Sequence, residues 1–235
     1  MEPTREIAPD SVQVPVPASA NGAARRPVAE PAPKRGRQQE RSQMSTSRLL
    51  AAAAELFAER GYRQTSLADI GKNAGYSHGL VTRRFGSKQG LIVALLDHMI
   101  NDWTQRALAP SLERKTGIEG IRAFYDAFCA NATANSSILR ALESLMFEGL
   151  WGEPELKERL AVIQQQGQEQ FRDLVEGGMK VGTVRPDVDA EAVALMAATA
   201  LRGATYCWLL EDGFDLCATL RSFGDVLEDY LRPTG

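Results

Sequence analysis

From about residue 41 onward, apolar positions recur every three or four residues, the spacing that puts them on one face of a helix. Leu49, Leu50, Ala53, Leu56 and Phe57 trace the first such face, and Gly61 ends that helix. Thr65 or Ser66 then caps a short helix reaching about Asn73, with Leu67 and Ile70 inward. Ala74-Gly75 makes a turn. Ser77 caps a third helix that ends near Phe85-Gly86. Ser87 caps a fourth, whose apolar face is Leu91, Ile92, Leu95, Leu96 and Met99, with Pro110 at its end. The same periodicity predicts helices near 118–135, 138–150, 155–180, 189–211 and 215–231, and Pro154 suits the first turn of the third of these. No alternating run demands a sheet and no internal repeat occurs. The expectation is an all-α chain of about nine helices.

Before residue 41 the pattern is lost. Residues 1–40 are rich in Pro, Ala and Arg and read as a disordered extension ending in the basic cluster Lys34, Arg35, Arg37. Such a segment is either a solvated tail or an arm that adds phosphate contacts.

Charge divides the remainder. The chain carries a net -3, yet residues 41–90 hold eight Lys/Arg against three Asp/Glu, while residues 91–235 hold thirteen against twenty-two. A short basic segment joined to a long acidic one implies that only the first meets a polyanion. Composition narrows the rest. At 235 residues and 44% hydrophobic the chain can bury a core. No apolar run reaches the roughly eighteen residues that span a bilayer, and SVQVPVPASA is broken by prolines. A cytoplasmic location without membrane association is therefore expected. Cys129, Cys207 and Cys217 stand at no metal or redox spacing. They read as isolated thiols, with thiol sensing as the rival reading. His98, on the fourth helix, reads as a partly buried, satisfied side chain. No Walker loop, nucleophile elbow or paired-histidine motif occurs, so no enzyme, metal or cofactor is expected.

The basic segment holds a specific arrangement, GYSHGLVTRRFGSKQGL. Three short helices with a tight glycine turn between the second and third form a helix-turn-helix pattern. In that unit the last helix enters the major groove and its early residues meet base edges. Here Ser77, His78 and Gly79 lead, Val81 and Phe85 anchor, and Thr82, Arg83 and Arg84 face outward. Arginine can bond a guanine edge bidentately or clamp a phosphate. Lys88 opens the next helix and adds a phosphate contact.

These segments resemble the DNA-binding domain of the TetR family of bacterial transcription regulators. The resemblance runs from about Arg41 to Leu95 through LLAAAAELFAERGY, TSLADIGKNAGYS and GLVTRRFGSKQGL. It departs at Thr82, where the family usually has tyrosine, at Arg84, where it usually has histidine, and at Gly71, where alanine is usual and glycine should slightly loosen the second helix. It implies three regions: the 1–40 extension, a helix-turn-helix domain over 41–87, and a ligand-binding and dimerisation domain over 88–235. Thr65, Ser66, Ser77, His78, Gly79, Thr82, Arg83, Arg84 and Lys88 become candidate DNA contacts. Partners implied are double-stranded operator DNA, a second copy of the chain through the last two helices, and a small hydrophobic effector that releases a repressor. Trp103, Phe124, Tyr125, Phe128, Met146, Phe147, Trp151 and Phe171 are candidates for the effector pocket. The competing class is an α-helical small-molecule-binding protein or enzyme with no DNA role.

Overall fold

The computed structural model describes residues 34–149 and 154–233, with backbone alone at 34–38, 144 and 147–149. Residues 1–33 of the expected extension, and Trp151, lie outside them. Residues 40–235 form one compact unit.

The described residues are helical with short connections. In chain order the helices are α1 (Lys34–Gln64), α2 (Leu67–Ala74), α3 (His78–Phe85), α4 (Lys88–Trp103), α5 (Ala109–Leu112), α6 (Gly117–Ala134), α7 (Ser136–Gly149), α8 (Pro154–Val181), α9 (Ala190–Leu210) and α10 (Leu216–Leu231). The caps are those the sequence announced. Ser66, Ser77 and Ser87 each sit in extended backbone and accept a hydrogen bond from an N–H of the first turn that follows. Gly75 closes α2 in the left-handed region at φ 77°, ψ 27°. Gly61 breaks α1 at φ 77°, ψ 166°.

Three expectations change. The helix of α1 begins at Lys34, so residues 34–40 are helical rather than part of an unstructured extension. Pro110 does not end the fourth helix. A π-turn over Thr104–Leu108, in which the Ala109 N–H bonds the Thr104 carbonyl, carries α4 into α5. The widened turn moves carbonyls aside where the proline ring would clash and no N–H exists to meet them. Gly71 is no loosening of α2: a Cβ there would lie 2.9 Å from the Tyr76 carbonyl oxygen and 3.1 Å from Val81 Cγ2, so only glycine lets α2 and α3 pack this closely.

Two apolar clusters hold the unit together. One joins Leu49, Leu56 and Phe57 of α1 to Ile70, Val81, Leu91 and Leu95, and continues into Leu142, Leu145, Leu156 and Leu160 of α7 and α8. The other lies among α6, α8, α9 and α10, around Ile121, Phe124, Phe171, Val175, Ala194 and Leu220. Helix α4 is therefore the element whose first half packs under α1–α3 and whose second half reaches the larger bundle. Helix α9 is long and apolar enough, by length and composition alone, to cross a membrane. Val193, Ala194, Ala197 and Ala198 of that helix are buried in the bundle.

Candidate nucleic-acid interface and cavity

Helix α3 is held by its apolar side and offers the rest to solvent. Val81 is fully buried and Phe85 packs on the same cluster. Ser77, His78, Gly79, Thr82 and Arg83 are exposed on the opposite side. The Thr82 hydroxyl lies 3.4 Å from His78 Nε2, one turn away. Nothing stands within 4 Å of where a Gly79 Cβ would be, so this glycine leaves the helix surface open to close approach. Arg83 has no hydrogen-bond or ion-pair partner among the described residues, and it borders a shallow recess with Gly75, Tyr76 and Ser77. Tyr76 was not among the sequence candidates. Its neighbourhood is set by the turn geometry, which no residue pattern announces.

Four candidates have inward duties. Thr65 is buried, and its hydroxyl donates to the carbonyls of Leu56 (3.2 Å) and Gly61 (3.0 Å), sealing the break in α1. Ser66 stays exposed, but its hydroxyl and N–H are tied to Asp69 in a capping box. The hydroxyl bond first, and then the backbone bond, hold the Asp69 carboxyl below its ordinary 3.8. Arg84 folds back onto α1. It donates to the Ser42 carbonyl at 2.6 Å and to the Thr46 hydroxyl. Lys88 donates to the Tyr62 carbonyl and sits over the Tyr62 ring, 3.9 Å from its centroid. Thr65 thus seals α1, Arg84 pins α3 to α1, and Lys88 pins the start of α4 to it. His98 is exposed rather than partly buried.

Behind the reader lies a cavity of about 470 Å³ between α4, α6, α7, α8 and α9. Of the sequence candidates, Trp103, Phe124, Phe128 and Met146 line it. The Trp103 ring stands edge-on to Phe124 at 5.3 Å and to Phe128 at 6.4 Å. Tyr125 and Phe171 do not line it; both are buried in the bundle core. Burial raises the Tyr125 phenol above its ordinary 10.0, and its hydroxyl donates to the Ala197 carbonyl at 2.9 Å. The side chains of Phe147 and Trp151 lie outside the described ones.

The cavity wall also holds charge that sequence reasoning missed. Arg202 of α9 bonds Glu143 of α7 at 2.6 Å, and its guanidinium touches the Met146 sulfur at 3.8 Å. Glu143 is buried, and its carboxyl lies above the ordinary 4.5 because desolvation outweighs the attraction of Arg202. A second pair, Arg159 with Asp97, lines the same space. One signal existed: Arg202 is the lone charge beyond the first turn of an otherwise apolar helix.

With this geometry in place, known proteins are informative. Residues 49–95 match the family described as bacterial regulatory proteins, tetR family. The HTH-type transcriptional repressor Rv3405c of Mycobacterium tuberculosis is 51% identical over 51 residues, 22% of this chain and 27% of that protein. The match thus spans little more than a quarter of that relative's length. The HTH-type transcriptional regulator TtgR of Pseudomonas putida is 27% identical over 204 residues, 83% of this chain and 95% of that one. Among solved structures, a TetR transcriptional regulator from Chloroflexus aurantiacus is 28% identical, with a TM-score of 0.64 over 81% of this chain and 96% of its own. The regulator FadR from Bacillus subtilis, solved in complex with stearoyl-CoA, shares the fold at 19% identity. Its TM-score is 0.69 over 79% of this chain and 99% of its own.

Proposed function

We propose that this chain, which belongs to the tetR family of bacterial regulatory proteins, is a cytoplasmic, homodimeric transcription repressor that leaves its operator when a small molecule fills the cavity. The observation that carries the reading is the surface of α3. Its anchors point inward, its early residues are small or polar, and Arg83 is unengaged among the described residues. A helix presented this way can enter a major groove, with Arg83 reaching a base edge.

The switch works through α4. Leu96, Met99, Ile100 and Trp103 of this helix line the cavity, while Leu91, Ile92 and Leu95 pack under the reader. An effector that fits only a shifted α4 moves the reader with it. Two readers in a dimer then lose the spacing of about one helical turn of DNA that successive half-sites require. The effector must bind the released state more tightly than the DNA-bound one, or nothing shifts. The wall is apolar and aromatic, with each of its arginines paired to an acid. It suits a mostly hydrophobic, uncharged molecule with a polar group near Arg202.

The test is fluorescence anisotropy with duplex DNA from upstream of the protein's own gene, against unrelated duplex at matched salt. Tight binding to the first is expected, at least about a thousandfold above the second, as for specific readers. Equal affinity for both would remove the repressor reading and leave an α-helical small-molecule-binding protein.

A further inference from the structure

Helices α6 and α10 pack against each other with two thiols in their seam. Their register is set at Arg122 of α6. Its guanidinium bonds both Asp225 and Glu228 of α10 at 2.6 Å. A Cβ on Gly224 would lie 3.4 Å from Arg122 Cγ, which places Gly224 level with Arg122 across the seam. Seven residues further along α6 is Cys129, and seven residues back along α10 is Cys217. Seven residues are about two helical turns, which return a side chain to nearly the same face. An antiparallel pair in register at 122 and 224 therefore brings 129 level with 217. Cys129 is buried in the bundle cluster, and Cys217 packs against that cluster while keeping part of its surface in solvent. Cys207, on α9, stands apart from this register.

We propose that Cys129 and Cys217 are a peroxide-responsive disulfide site whose oxidation staples α6 to α10. Burial first, and then the neighbouring Cys217 sulfur, which accepts from the Cys129 S–H, raise the Cys129 thiol above its ordinary 9.0. The first attack on a hydroperoxide therefore falls to Cys217, the more accessible sulfur. Its thiolate displaces hydroxide from the peroxide oxygen and becomes a sulfenic acid. The Cys129 sulfur then attacks the Cys217 sulfur, loses its proton, and releases the hydroxyl as water. Two thiols and one hydrogen peroxide give one disulfide and two waters, the two electrons passing from sulfur to peroxide.

The staple would act on both parts of the sensor. Helix α6 carries Phe124 and Phe128 of the cavity wall. Helix α10 exposes Phe223, Val226 and Tyr230 on a flank roughly opposite Cys217, so the bond can form without disturbing that face. The site stands whether or not α3 reads DNA, so its failure and a failure of the repressor reading are separable.

The experiment treats the full chain with hydrogen peroxide, alkylates remaining thiols and maps the peptides by mass. The expected product joins the peptides of Cys129 and Cys217, with Cys207 alkylated, and dithiothreitol reverses it. The oxidised protein melts about 5 °C or more higher, because a long loop has been closed. Cys207→Ser keeps both effects; Cys129→Ser and Cys217→Ser each abolish them. Sulfinic or sulfonic acid at Cys217 without a cross-link, or a principal disulfide through Cys207, overturns the proposal.

Discussion

Arg83 and Arg84 are adjacent in sequence and have different employers. Arg83 is free of partners among the described residues, whereas Arg84 bonds Ser42 and Thr46 of α1. Replacing Arg83 by alanine should relax sequence preference at one operator position by about 1–3 kcal/mol while leaving thermal stability unchanged. Anisotropy against single-base operator variants reads this directly. Arg84→Ala should instead lower stability by about 1 kcal/mol and weaken all duplexes alike, since a loosened α3 reads nothing well. Glycines offer a second contrast. At Gly79 there is open space, so Gly79→Ala should raise the melting temperature, alanine being the better helix former by about 1 kcal/mol. It should still weaken DNA binding, because the added methyl occupies the approach path. At Gly71 the same methyl meets the Tyr76 carbonyl, so Gly71→Ala should destabilise by about 1–3 kcal/mol despite its helix propensity. At this scale the sequence was legible where duty is local. The caps at Ser77 and Ser87 and the anchor at Val81 follow from neighbours a few residues away. Arg84 and Lys88 looked outward only because their partners, on α1, are distant in sequence; Thr65 bonds nearby carbonyls that only the break in α1 at Gly61 turns toward it.

Helix boundaries were readable for the same reason, since periodicity, caps and breakers act within a turn or two. What periodicity could not show is how helices bond to one another. The Glu143–Arg202 pair ties α7 to α9 across the cavity wall and needs both helices in place to exist. Its titration has a definite sign. The unfolded chain loses the Glu143 proton near the ordinary 4.5, and the folded protein keeps it to higher pH. Between those two values the folded state binds more protons. The stabilisation present below 4.5 therefore declines as pH rises through the folded-state value. Glu143→Gln should flatten this decline relative to wild type in urea unfolding followed across that window, while the amide still accepts a bond from Arg202. Arg202→Ala should do the reverse. It strands a buried carboxylate, so the loss should approach about 3 kcal/mol at neutral pH, the lower end of the range because Arg202 is partly exposed, and shrink as acid protonates Glu143. Equal losses at both ends of the pH range would show that Arg202 acts through packing alone.

For the whole molecule the question is what covers α9 and α10. Ala192, Leu195, Met196, Thr199, Gly203, Tyr206 and Leu210 are all exposed and recur at helical spacing along one stripe of α9. Phe223, Val226 and Tyr230 form the matching stripe on α10, and Leu210 and Val226 are each 64% exposed. Small residues among large ones allow close helix approach. A largely apolar surface about 30 Å long is more than an isolated subunit ordinarily leaves in water. Two copies related by a two-fold axis would bury it in a four-helix arrangement, each stripe meeting its own image. The opposite face of α9, with Ala194 and Ala197, already packs in the bundle, which is why this helix is apolar on both faces and long enough to suggest a membrane span. Val226→Glu tests the arrangement. Near a two-fold axis the new carboxylate would be desolvated beside its own copy, a like-charge clash without compensation. Sedimentation should show monomer in place of dimer, with helical content by circular dichroism unchanged because Val226 contributes little to the bundle core. Affinity for a two-half-site operator should then fall by about a hundredfold or more, while affinity for a single half-site stays as it was, since only the linkage between the two readers has been lost. A dimer that persists in Val226→Glu, with operator affinity intact, would place the interface elsewhere.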